Sequence, residues 1–272
     1  MVVCITYPLP YYIVDKIIYM KGLILQSSYR YPGLIISGTS TDVGKTFVTA
    51  HLSKWLQEQQ IDVFPWKPAQ SGTVIGDPGA DSYLLKNIGQ LPHQENEICS
   101  YTFPEPVAPE LAAKLNQVEF TKKMLIDRAN LLFNNYPLIL VEGAGGVASP
   151  LCTDFFIVHL AEELNLPIIL IADAKLGTIS HTLTAISFIR SHGVDVAGVI
   201  LNGFDSNSEG KLFLSDDDLL NLGDLSQQNN AEMIQRYSNV PILAKIAKVE
   251  PKVALMSDWS SLGVKVMNIL SN

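Results

Sequence analysis

Cysteine is scarce in this chain. Cys4, Cys99 and Cys152 stand far apart and form neither a C-x-x-C redox pair nor the spacing of a zinc ligand set. Buried or surface thiols in a reducing cytoplasm are the expectation. Positive charge is short as well: the formal net charge of −8 argues against sequence-independent nucleic-acid binding, which needs clustered Lys and Arg, and leaves room only for a local basic pocket. Long apolar runs are missing too. The opening stretch is apolar but broken by Pro8, Pro10, Asp15 and Lys16, so it reads neither as a signal peptide nor as a membrane span of ~20 apolar residues. There is no internal repeat. What is present is a chain of 272 residues, 47% hydrophobic and 17% charged, which suits one large globular domain around a buried sheet. Residues 1–22 read as an N-terminal extension, expected to be dispensable, since Met20 lies just ahead of a strand-like Leu23-Ile24-Leu25; residues 23–272 read as a single α/β domain.

From Leu34 onward apolar runs alternate with helical patterns, which predicts a mostly parallel sheet with helices on both faces. The strands expected are Leu34–Ser37, Val63–Lys67, Leu138–Glu142, Ile168–Asp173, Val196–Leu201 and Ile242–Ile246. The helices expected are Thr46–Gln59, Thr121–Asn134, Phe155–Leu164, Ile179–His192, Ala231–Tyr237 and Trp259–Leu270. Thr121 suits an N-cap and Gly193 a helix end that needs positive φ. Two stretches break the rhythm. Residues 69–119 read as a mostly loop-like insertion with a helical turn at Asp81–Lys86, and residues 205–230 as a solvated, mobile excursion around Asp216-Asp217-Asp218.

Between the first strand and helix lies Gly38-Thr39-Ser40-Thr41-Asp42-Val43-Gly44-Lys45-Thr46. A strand, a small-residue turn ending in G-K-T and a helix make a phosphate loop: successive amides and the positive helix end converge on an anion, Lys45 adds a point charge at the outer phosphates, and the Thr46 hydroxyl ligates magnesium. The bland alternative is an ordinary strand-to-helix turn. Thr39 stands where G-x-x-x-x-G-K-[ST] expects its first glycine, with Gly38 one residue earlier. Parallel strands collect their C-terminal ends on one edge, and three further groups fall there. These are Lys67-Pro68-Ala69-Gln70-Ser71-Gly72, Glu142-Gly143-Ala144-Gly145-Gly146 and Asn202-Gly203. Lys67 could be a snorkelling surface lysine and Glu142 a solvated turn residue. An acid ending an apolar run with small residues behind it is also what a magnesium site beside phosphates needs.

Taken together, these motifs, with Asp81, Tyr101-Thr102-Phe103, Pro106-Val107-Ala108-Pro109 and Lys175-Leu176-Gly177, resemble the dethiobiotin synthetase family over roughly Leu34 to Leu201. In that family the early glycine of the loop is usual. The resemblance implies a P-loop NTPase fold and a cytoplasmic homodimeric cyclo-ligase that takes 7,8-diaminononanoate, CO2, ATP and Mg2+ to dethiobiotin, ADP and phosphate. One amine captures CO2 as a carbamate, ATP phosphorylates it to a mixed anhydride, and the second amine closes the ring. The residues implied are Lys45 and Lys67 for charge stabilisation, Thr41, Asp42, Val43, Gly44, Lys45 and Thr46 for ATP, and Asn202 for the adenine. Thr46, Asp81 and Glu142 would hold magnesium, while Thr41, Lys67, Ser71 and Gly145 would meet the substrate. The five histidines, His51, His93, His159, His181 and His192, are expected to be non-catalytic.

The chain departs from the family's pattern in three places. Ser40 stands where an acid is common, Val147-Ala148-Ser149 are smaller than usual, and Ala244-Lys245-Ile246-Ala247 lack the usual glycine and proline. The rival reading is a P-loop ATPase acting as a dimer switch, of the partitioning and iron-protein type. Those relatives carry a lysine five positions before the loop lysine, where this chain has Ser40.

Overall fold

The computed structural model describes residues 29–205, 211–220 and 225–272, together with a short antiparallel hairpin, Tyr12–Val14 against Ile17–Tyr19. Met20 and the expected strand at Leu23–Leu25 lie outside the described residues. The centre is a seven-stranded sheet, in spatial order Ile242–Ala247, Val196–Phe204, Ile168–Asp173, Gly33–Gly38, Leu138–Glu142, Val63–Ser71 and Cys99–Phe103, every neighbouring pair parallel.

Strand alternation explains the two-sided core. On one face Ile35, Ile139, Val141, Ile168, Leu170, Val199 and Leu201 pack against helices Lys122–Asn135, Ile157–Leu164, Thr178–Ser191 and Leu225–Ser238. On the other, Leu34, Ile36, Leu138, Leu140, Ile169, Ile171 and Ile200 meet helices Lys45–Glu58 and Ser260–Ser271. Because successive side chains point to opposite faces, each central strand must be apolar throughout. That is why the central strands stand out in the sequence. Thr121 caps its helix, accepting from the Met124 N–H at 3.4 Å, and Gly193 takes φ 71 just past the Thr178–Ser191 helix.

Both irregular stretches need correction. Residues 69–119 contain the helices Asp81–Ile88, Glu95–Ile98 and Pro109–Leu115, and a seventh sheet strand, Cys99–Phe103. That strand sits at the edge beside Val63–Ser71, so its central Ser100, Tyr101 and Thr102 are only half-buried and break the apolar signal. The strand before it runs to Ser71, so the Lys67–Ser71 motif is part of the sheet rather than a loop following it. The 205–230 stretch carries a helix at Asp216–Leu220, whose first turn is the acidic triplet, and the start of Leu225–Ser238. Acids favour a helix N-terminus, and Asp218 accepts from the Ser215 amide at 2.8 Å. Gln227 and Asn230 are buried, the Asn230 amide donating to the Ala174 carbonyl at 2.8 Å. Residues 206–210 and 221–224 of this excursion are outside the described residues.

Candidate active site

The parallel register assembles the site. Ile36 pairs with Glu142, and Trp66 pairs with Val141, so one step further along the sheet Lys67 comes level with Glu142, below the phosphate loop. Gly44 ends that loop at φ 95, and no side chain caps the helix it opens, so the first helical N–H groups stay free to face an anion. A side chain at Gly44 is doubly unfavourable: φ is left-handed, and a Cβ would come within 2.1 Å of the Asn202 amide nitrogen. Asn202 donates to the Val43 carbonyl at 2.9 Å, so the residue expected at the adenine also clamps the loop. Ser40, Thr41 and Asp42 are exposed, whereas Val43 and Lys45 are buried.

Lys45 donates from Nζ to the Ser40 carbonyl at 2.9 Å. Burial, and next the repulsion of Lys67, lower its pKa to about 8, against a smaller opposing pull from Glu142 and Asp81. Lys67 is placed otherwise. Its Nζ lies 2.7 Å from Glu142 Oε1, 2.5 Å from Asp81 Oδ2 and 3.2 Å from the Gly143 carbonyl, which uses all three ammonium donors. Burial by itself would lower its pKa; the attraction of Glu142 and Asp81 outweighs that and raises it. Burial acts on Asp81 in the upward direction, yet Lys67 and the Thr46 hydroxyl hold its carboxyl below the usual range.

The Thr46 hydroxyl stands 2.8 Å from Asp81 Oδ1 and 2.7 Å from Glu142 Oε1. It has one proton, so only one of those carboxylates can receive it. Glu142 Oε2 is buried with no hydrogen-bond partner. Two carboxylates and one hydroxyl therefore face each other with acceptor capacity left over, which is the donor set a hard divalent cation takes when phosphate oxygens supply the rest. Among the described residues no group of three or more His, Cys, Asp or Glu is placed to hold a metal. These residues fit a magnesium ion shared with a nucleotide, not a closed all-protein cage.

The 143–147 loop lies along the phosphate loop, its Gly143 and Val147 amides donating to the Ile36 and Gly38 carbonyls at 2.9 Å each. Gly145 takes φ 67, and a Cβ there would sit 2.4 Å from Ser149 Oγ and 3.9 Å from the Thr41 methyl, so Thr41 and Gly145 are neighbours. Ser71 is half-buried at its strand end, four residues beyond Lys67. Sequence reasoning assigned no role to Ser149, whose hydroxyl accepts from the Gly146 amide at 2.9 Å, nor to Gln70, which binds the start of the Asp81 helix. Four of the five histidines make ring contacts: His51 stacks on Trp259, His93 packs on Phe64 and Tyr136, and His159 meets His192. Burial pushes the thiols of Cys99 and Cys152 up to about 12 and about 11, which leaves them unreactive at neutral pH.

The family profile described as an AAA domain matches residues 32–254. An ATP-dependent dethiobiotin synthetase of Bacillus licheniformis is 35% identical over 218 residues, 80% of this chain and 86% of that protein. The chain belongs to the dethiobiotin synthetase family. A Bacillus cereus member is 38% identical over 211 residues, 78% of this chain and 81% of its own. Among solved structures, the MinC:MinD cell division complex of Aquifex aeolicus is similar at TM-score 0.51 and 15% identity, covering 88% of this chain and 96% of that one. At that identity the likeness concerns the fold alone: a parallel α/β sheet of the P-loop NTPase kind. The family match favours the synthetase over the switch ATPase.

Proposed function

We propose that this chain is an ATP-dependent dethiobiotin synthetase, closing the ureido ring from 7,8-diaminononanoate and CO2. The observation that carries the proposal is the convergence of Lys67 and Thr46 on Asp81 and Glu142, each of the first two within hydrogen-bond distance of both carboxylates, at the foot of the Lys45 loop. A carbamate is an anion that must approach another anion, the γ-phosphate. Cations between them lower that barrier by stabilising charge that develops during transfer.

In this reading the loop amides and Lys45 bind the triphosphate, and Lys67, held rigidly by its two carboxylates, offers its charge to the carbamate. Thr46, Asp81 and Glu142 would hold magnesium, which when bound neutralises the phosphates. Thr41, Ser71 and the bare backbone at Gly145 would orient the diamine. With the two amines fixed on adjacent carbons, ring closure is intramolecular, so proximity supplies much of the rate and no protein nucleophile is needed. The Asn202 side chain, at the edge of the loop, would be near the base. Homodimerisation belongs to the same proposal, supported by family resemblance. A cytoplasmic setting suits the free thiols of Cys99 and Cys152.

The test is ADP release from purified protein with magnesium, bicarbonate and diaminononanoate. Turnover should require all three. ATP hydrolysis indifferent to the diamine would transfer the assignment to the switch-type ATPase.

A further inference from the structure

The helix Asp81–Ile88 begins without a cap of its own. Its N-cap position is Ala80, whose side chain has nothing to offer the first-turn N–H groups. The acceptor comes from elsewhere. Gln70, 2% exposed, reaches over from the Val63–Ser71 strand and accepts the Ser82 N–H on Oε1 at 2.9 Å. Its amide nitrogen donates to Ser82 Oγ and to Thr102 Oγ1, both at 3.1 Å. Ser82 Oγ in turn donates to Glu95 Oε2 at 3.0 Å, and Thr102 Oγ1 to the Thr73 carbonyl at 3.0 Å. Every polar atom of the buried amide is used, and the network ties four elements together at the residue next to Asp81.

We infer that Gln70 is a positioning residue: it supplies the missing helix cap from the strand that carries Lys67, and so fixes where the Asp81 carboxylate stands relative to Thr46 and Glu142. The inference rests on the reading of Thr46, Asp81 and Glu142 as the magnesium ligands. Among the described residues, the Asp81 carboxylate is held from the site side, by the Thr46 hydroxyl at Oδ1 and the Lys67 ammonium at Oδ2. Without Gln70, the backbone at Ser82 would lose its acceptor and the first turn would be free to fray. A group that orients a metal ligand in this way is worth about 10–100-fold in metal affinity.

The measurements are Mn2+ binding by electron paramagnetic resonance in the presence of a non-hydrolysable ATP analogue, and amide hydrogen exchange at Ser82. Gln70→Met, nearly isosteric, should weaken Mn2+ binding about tenfold and speed exchange at Ser82, while nucleotide affinity in EDTA stays within about twofold. Gln70→Glu keeps an acceptor for the Ser82 N–H and, in the protonated form that burial favours, can still donate to one of the two hydroxyls, so it should restore Mn2+ affinity to within about threefold. A packing role would be met by Met. If Gln70→Met folds poorly, Gln70→Asn, polar but one methylene short of Ser82, should show the same losses. Asp81→Asn separates the two readings. If Asp81→Asn leaves Mn2+ affinity unchanged, the metal assignment falls. If Asp81→Asn loses affinity while Gln70→Met and Gln70→Asn bind Mn2+ and exchange like the parent, the positioning role is overturned.

Discussion

Lys45, on the phosphate loop, and Lys67, two strands away, reach the same sheet edge with different company. Lys45 is 7% exposed and has one carbonyl as its partner, so burial makes its proton easier to lose. Lys67 is 1% exposed and has two carboxylates and a carbonyl, which hold its proton more tightly. The loop is built for a charge that arrives with the ligand: free amides, an uncapped helix and an underpaired ammonium. The strand-end cluster carries its counter-charges within the fold. One region is thus strained toward binding, and the other is already satisfied except for Glu142 Oε2.

Removing a carboxylate from the cluster should give the largest effect. Glu142→Ala leaves the buried Lys67 with the partly exposed Asp81 as its one counter-charge among the described residues, and breaking a buried pair costs about 3–5 kcal/mol. Turnover should fall on the order of 10³-fold. Denaturant titration beside the ADP-release assay checks both, and wild-type stability would erase the contrast between the two lysines. Next comes Lys67→Met, which should lose stability of the same order, ~3–5 kcal/mol, because Glu142 is then unpaired. The double variant Lys67→Met/Glu142→Gln should recover to within ~1 kcal/mol of the parent, since an apolar or neutral replacement of a buried pair is often close to neutral. It should remain inactive. Recovery of stability without activity would show that the cluster is kept for its chemistry.

Lys45→Met should do the opposite to stability. A folded-state pKa near 8, below the ordinary 10.5, means that the folded chain holds this proton less well than the unfolded chain. The penalty is fully present below about pH 8 and fades as pH rises toward 10.5. Met at this position should therefore raise stability by ~1 kcal/mol at neutral pH, discounting for lost stem packing. Turnover should fall about 10²–10³-fold, the scale of losing one preorganised donor to the transition state. A variant that is both less stable and inactive would place Lys45 in the same class as Lys67.

The same comparison explains what the sequence discloses. Central strands bury both faces, so Leu34–Ser37, Leu138–Glu142 and Ile168–Asp173 announce themselves as apolar runs, and the loop between strand and helix carries a backbone chemistry that only small residues permit. Lys67 and Glu142 could be assigned to one edge because parallel strands end together. Their mutual contact could not, since it depends on register. The Cys99–Phe103 strand is half-polar because it lies at the sheet edge, and the Leu225–Ser238 helix hides its start in Gln227, Gln228, Asn229 and Asn230. Asn230 is buried there through a hydrogen bond to Ala174, a partner 56 residues away that no local pattern reports. Gln70 stayed silent for the same reason: its partners are on Ser82 and Thr102, and in sequence it is one more polar residue before a serine.

The smallest effect expected is on pH, and it follows from Lys45 alone. Nucleotide binding brings phosphate oxygens to Nζ and raises its pKa, so the bound state holds the proton to higher pH than the free protein does. Below about pH 8 both states are protonated and affinity is flat. As pH rises through about 8 the free protein loses the proton first, and binding must take one up; affinity then falls by at most about tenfold per pH unit. Calorimetry of ATP-analogue binding in buffers of different ionisation enthalpy reads this directly. Uptake should be near zero at pH 7, approach one proton at pH 9, and be absent in Lys45→Met. Lys67 should contribute nothing in this range, because its carboxylates keep it charged well above pH 9. Proton uptake that persists in Lys45→Met would mean that the strand-end cluster, rather than the loop, gives way when the nucleotide binds.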